Sequence, residues 1–220
     1  MQSLPTAPGF ILNTGFILLS IALVVGFGVL MRSYKAGLYA FLWLIFTGIV
    51  GASGVLADFS SIPPRPFLLL GPALIAVVFV ARSSIGKQLA ELSLGVLVGY
   101  QAFRIIVELL IHQAVVEGIA PPQMTWSGMN LDILSGLSAL AMAPFASRLP
   151  RWSLLTWNWL ALGLLLWVVG VAIVSMPTPL QQITPDNIWI VFFPFIWLPT
   201  IAVVAALLGH LVLFRKLRIA

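Results

Sequence analysis

The chain has 220 residues, 61% of them hydrophobic and only 8% charged, with mean hydropathy +1.11, net charge +5 and a pI near 10.3. Soluble globular domains carry about a quarter of their residues as charges, so the composition excludes one and specifies an all-α, polytopic membrane protein, read as one domain over residues 1–220. The lack of cysteine excludes thiolate metal sites, iron–sulfur clusters, c-type haem attachment, disulfides and S-acylation, and basic residues scattered through short loops exclude a nucleic-acid surface.

No Lys or Arg occurs between Met1 and Asn13, so the positive region of a cleaved signal peptide is missing and the first apolar segment is expected to remain as a helix. A transmembrane helix needs about 20 apolar residues. Seven stretches qualify, at about 10–31, 37–57, 66–82, 92–112, 131–147, 153–176 and 187–214. Arg32, Lys35, Arg82, Lys87, Arg148, Arg151, Arg215, Lys216 and Arg218 fall on one side of such a bundle and Arg65 on the other. The positive-inside rule then places the amino terminus outside and the carboxyl terminus in the cytoplasm.

The second stretch carries Gly48, Gly51, Ala52, Ser53 and Gly54, a density of small residues that lets helix backbones approach closely. Gly51-Ala52-Ser53-Gly54 is also similar to the G-x-S-G motif of rhomboid intramembrane proteases, which would make Ser53 a nucleophile and His112 its base. Ile62-Pro63-Pro64-Arg65-Pro66 is expected to be an extended outer loop in which Asp58 pairs with Arg65.

In the fourth stretch Gln101, Arg104, Glu108 and His112 recur at spacings of three and four, on one face of a helix that is otherwise apolar. Such a face cannot point at lipid. At about 1.5 Å per residue, Glu108 should lie about 6 Å and Arg104 about 12 Å below His112, in the outer half of the bundle. The following outer connection, Gln113 to Gly128, places Trp126 at headgroup level and leads to Asn130 and Asp132 at the start of the fifth helix. On the sixth stretch Asn158 reads as an interhelical hydrogen-bonding group. Pro194 and Pro199, with Trp197 between them, should break the seventh helix and line a pocket, while His210 is expected at the cytoplasmic interface beside the basic tail.

Arg104 is always charged and needs a partner, which either Glu108 or Asp132 can supply. With both carboxylates present one negative charge remains, available to a proton, a cation or a cationic group on a ligand. A static interhelical lock is the competing reading. No metal or cofactor is expected. His112 and His210 are placed at opposite faces, which argues against a bis-histidine haem, no H-E-x-x-H pattern is present, and Lys35, Lys87 and Lys216 lie beside loops where they cannot hold a retinal Schiff base.

Phe103-Arg104-Ile105-Ile106-Val107-Glu108, the run from Gln123 to Ile133, and Phe193-Pro194-Phe195-Ile196-Trp197-Leu198-Pro199 together resemble a group of bacterial integral membrane proteins of similar length and hydropathy, to which no activity is attached. That resemblance implies a bacterial inner-membrane setting and nothing about substrate. The expected function is non-enzymatic binding or transport of a small solute, ion or lipid headgroup, in contact with the lipid bilayer and not with nucleic acid, at a pocket formed by Gln101, Arg104, Glu108, His112, Asn130, Asp132 and the Pro194–Pro199 break. The alternatives are an intramembrane serine hydrolase and a structural or accessory subunit.

Overall fold

The computed structural model describes residue 4 and residues 6–219. Among them the regular structure is entirely helical: α1 (Phe10–Leu30), α2 (Tyr34–Ala52), α3 (Arg65–Arg82), α4 (Ser84–Ala90), α5 (Leu94–Gly99), α6 (Phe103–Val116), α7 (Ile133–Met142), α8 (Arg151–Val174) and α9 (Val203–Ile219). A short 3-10 turn, Tyr100–Ala102, joins α5 to α6 as one rod, and a π-helical turn, Leu198–Ala202, leads into α9. Six of these continuous helical segments are long and apolar enough to cross a membrane. The outward surface is itself apolar, with Leu18, Val25, Ile75, Phe79, Leu160 and Leu166 exposed, the pattern of a bundle whose solvent is acyl chain.

Two of the seven expected spans differ from continuous helices. The fifth, expected over 131–147, is only Ile133–Phe145 and about 20 Å long, short of the roughly 30 Å hydrocarbon core. Its approach is irregular chain in which Gln123, Met124, Thr125 and Asn130 are buried. The seventh, expected over 187–214, becomes a transmembrane-length helix only at Leu198. Residues 187–197 are instead a buried irregular segment held by an aromatic cluster. Phe16 of α1 meets Trp189 at 5.8 Å and Phe195 at 5.2 Å, and those two rings meet each other at 5.0 Å. Non-helical backbone needs protein around it to keep its polar groups from lipid, and most of this segment is buried.

The break before α9 is tied to α2 by two reciprocal indole bonds. Trp43 Nε1 donates to Thr200 O at 3.1 Å, and Trp197 Nε1 donates to Leu44 O at 2.9 Å. Glycine makes this approach possible: a Cβ on Gly48 would lie 3.0 Å from the Trp197 ring, and one on Gly51 would lie 2.6 Å from Ile196. The small residues of α2 therefore serve close packing.

α3 and α8 both pack on α9. α3 contains Pro72, which supplies no N–H to the helical ladder. Between α2 and α3 the expected pair forms, with Arg65 Nη2 3.0 Å from Asp58 Oδ2. The Asp58 carboxylate also accepts from the Ser60 hydroxyl at 2.7 Å and the Ser60 amide at 3.1 Å. Those bonds, with Arg65 adding to them, hold its pKa below the ordinary carboxylate value.

Candidate functional site

Arg104 sits near the middle of the Leu94–Val116 span with 2% of its surface exposed, and the chain builds a partner set around it. Its Nε donates to Asp132 Oδ2 at 2.6 Å, and Nη2 donates to Asp132 Oδ1, giving a two-pronged ion pair from α6 to the residue preceding α7. Nη2 also reaches Ala161 O on α8 at 3.3 Å, and Nη1 lies 2.9 Å from His210 Nε2 on α9. Four of the five guanidinium hydrogens thus have acceptors on three other elements. Of the two carboxylates available by sequence, Asp132 takes the arginine.

His210 corrects an expectation. It is fully buried at the centre of the bundle, not interfacial, because α9 starts later than the hydropathy suggests and places this residue near mid-span. Its Nδ1 is 2.7 Å from Asn158 Oδ1, while Asn158 Nδ2 donates to His210 O at 3.1 Å. Asn158 Oδ1 can only accept, and Arg104 can only donate. Nδ1 therefore carries the ring proton, Nε2 offers its lone pair to Arg104, and the imidazole is neutral in this arrangement.

Glu108, one turn above Arg104, is buried with Asn130 as its polar contact. Asn130 Nδ2 lies 2.9 and 2.8 Å from the two carboxylate oxygens and 2.9 Å from Met124 O. One amide nitrogen has two hydrogens, so if Met124 O takes one, the carboxylate shares the other in a fork. Asn130 Oδ1 accepts from Asp132 N at 2.9 Å, which couples the Glu108 end of the network to the Arg104 end.

Glu108, Arg104 and Asp132, each almost completely buried, are the ionisable residues among those bordering a half-enclosed cavity of about 160 Å3. Its walls are apolar: Phe67, Leu70 and Leu74 from α3, Val168, Val169 and Ala172 from α8, and Leu198, Pro199 and Val203 from the π turn and α9.

The other sequence-selected residues lie elsewhere. Gln101 is buried and donates to Ala206 O at 3.0 Å without lining the cavity. His112 turns away, with Nδ1 3.2 Å from Thr125 Oγ1 and its ring stacked on Trp126 at 4.3 Å. Ser53 lies at the exposed end of α2 and donates to Val50 O at 2.7 Å, so it and His112 form no nucleophile–base pair. Of the break residues only Pro199 lines the cavity, Trp197 being committed to α2. Sequence reasoning missed His210 as a member of the network and placed Asn158 on an interhelical bond without naming its partner.

No protein-family model, curated protein or solved structure matches this chain. The functional reading rests on the site alone.

Proposed function

We propose that this chain is a seven-crossing protein of a bacterial inner membrane, amino terminus outside, that binds or transports a small solute, ion or lipid headgroup without chemical conversion. In this reading the fifth crossing combines the buried irregular chain before Asp132 with the short α7, so that the outer loops and the basic loops stay on opposite sides. The observation that carries the binding role is the cavity of about 160 Å3 with apolar walls, bordered by the buried ionisable residues Arg104, Glu108 and Asp132. Polar groups this deep in an apolar bundle mark functional sites by default, because placing them there is costly. In this reading the Arg104–Asp132 pair is support, and Glu108, which also borders the cavity, is the group that meets the ligand.

The test is photolabelling of purified protein in lipid nanodiscs with a small alkyl diazirine, followed by peptide mass spectrometry. Cavity binding predicts adducts concentrated on Phe67, Leu70, Val169 and Ala172, lost when Gly71→Phe fills the space. A Cβ at Gly71 meets no atom within 4 Å, so this side chain has room to enter. Adducts spread evenly over the lipid-facing surface, with no excess at the cavity, would sink the reading.

A further inference from the structure

The charge count of the buried network identifies the chemistry of the occupant. Arg104 and Asp132 cancel one another in a two-pronged pair, and His210, proton on Nδ1, contributes no charge. Glu108 is left without a cation of its own. On its own helix, Arg104 one turn below is already committed to Asp132, and His112 one turn above is turned to Thr125 and Trp126. From the connection between α6 and α7 it receives only the Asn130 amide; α3 and α8 present no titratable side chain to the cavity, and His210 on α9 reaches the network only through Arg104. A carboxylate in this position requires one positive charge, either a proton or a cationic group in the adjoining space. An anionic ligand is disfavoured on the same evidence, because the arginine that would hold it keeps only one uncommitted N–H.

Size narrows the choice. An apolar cavity of about 150 Å3 takes up benzene, so the space of about 160 Å3 beside Glu108 fits a single six-membered ring or a short alkyl segment and not a whole lipid tail. None of the other residues bordering it has an ionisable, hydroxyl or amide side chain.

We infer that the occupant is a compact organic cation, a protonated amine on an apolar body of about one ring, whose ammonium group takes the place of a proton on Glu108. This rests on the cavity being a binding site, as proposed above. Because proton and ammonium compete for one carboxylate, each excludes the other: binding of the amine releases a proton where Glu108 was protonated, and acid displaces the amine. Neither event changes the Arg104–Asp132 pair.

The experiment is titration calorimetry of the full chain in zwitterionic nanodiscs, with empty discs subtracted, using 2-phenylethylamine and its neutral counterpart 2-phenylethanol. The amine should bind at least about tenfold more tightly than the alcohol, and lose at least about tenfold in affinity on lowering the pH from about 8 to about 5. Glu108→Gln should remove both the preference and the pH dependence. Should that variant fail to fold, Gly71→Phe, which leaves the carboxylate in place, must lower amine affinity by at least about tenfold, and the pH series on the unaltered chain decides the charge question. Equal affinity for amine and alcohol, or amine binding independent of pH, overturns the inference. If the diazirine labels the cavity while the amine does not bind, the cation reading falls and the binding role stands. If neither occupies it, both fall.

Discussion

Among the described residues are two arginine–aspartate pairs in opposite surroundings. Arg65 and Asp58 meet in a loop with 40% and 27% of their side chains exposed, whereas Arg104 and Asp132 meet with 2% and 6% exposed. The first pair is part of a loop already shaped by the bonds from Ser60 to Asp58, and water can solvate either member alone. The second has no such recourse. Its members are tied to His210, Asn158 and Asn130 in three other parts of the chain, and four of the five guanidinium hydrogens find acceptors, because a buried polar group without partners is costly. The same two residue types make a local clip in one place and an organising centre in the other.

The contrast is broken most severely by removing one member of the buried pair. Arg104→Met leaves the buried Asp132 carboxylate uncompensated and should cost about 3–5 kcal/mol, read as a lowered midpoint of reversible unfolding in mixed micelles, whereas Asp132→Leu should cost less because the Glu108 carboxylate, one turn from Arg104, remains to balance it. Removing both at once, with Met and Leu, should cost clearly less than the two single changes added together. Additive losses would show that the pair is not the unit described. Next in size is His210→Leu, which deprives Arg104 Nη1 of its acceptor at a loss of about 1–3 kcal/mol. Arg65→Ala should change the same midpoint by less than about 1 kcal/mol, and a loss equal to that of Arg104→Met would erase the distinction between the pairs.

The smallest effect concerns protons at Asp58. Ser60 first, then Arg65, depress its pKa below 3.8, so the carboxylate contributes to folding above that value and the contribution disappears as pH falls through the lower, folded-state pKa. Ser60→Ala should move the titration midpoint of the Asp58 side-chain carbon upward toward 3.8 in an NMR pH series. An unmoved midpoint would show that the hydroxyl and the turn it holds are not the main cause.

What the sequence revealed depended on whether periodicity carried the information. The apolar helices and the Arg104–Glu108 stripe were readable because a 3.6-residue repeat places both on definite faces. His210 was not, because its depth depends on where its helix begins. Hydropathy reads 187–214 as one span, which places His210 near the inner end; the helix begins at Leu198, and the same residue lands near the middle. Hydropathy cannot separate a long apolar helix from an apolar segment that never forms one, and Ile188-Trp189-Ile190-Val191 makes only a single 3-10 turn. The buried approach to Asp132 was hidden for the same reason: irregular chain has no period. The cavity was invisible because it arises from the spacing between α3 and α8, elements far apart in sequence.

The reciprocal indole bonds between α2 and the break before α9 give the cavity walls unequal stiffness. On the α9 side, Pro199 and Leu198 stand on a turn clasped from behind at Thr200 and Trp197, so any shift there would have to carry α2 with it or rupture both bonds. On the α3 side, the Gly71-Pro72 step lacks a rung of the helical ladder and has open space beside the glycine. A guest larger than the resting cavity would therefore find its room by bending α3. Backbone amides around Leu70 and Gly71 should exchange with deuterium faster than those of Thr200 to Ala206, and slow selectively when the cavity is filled.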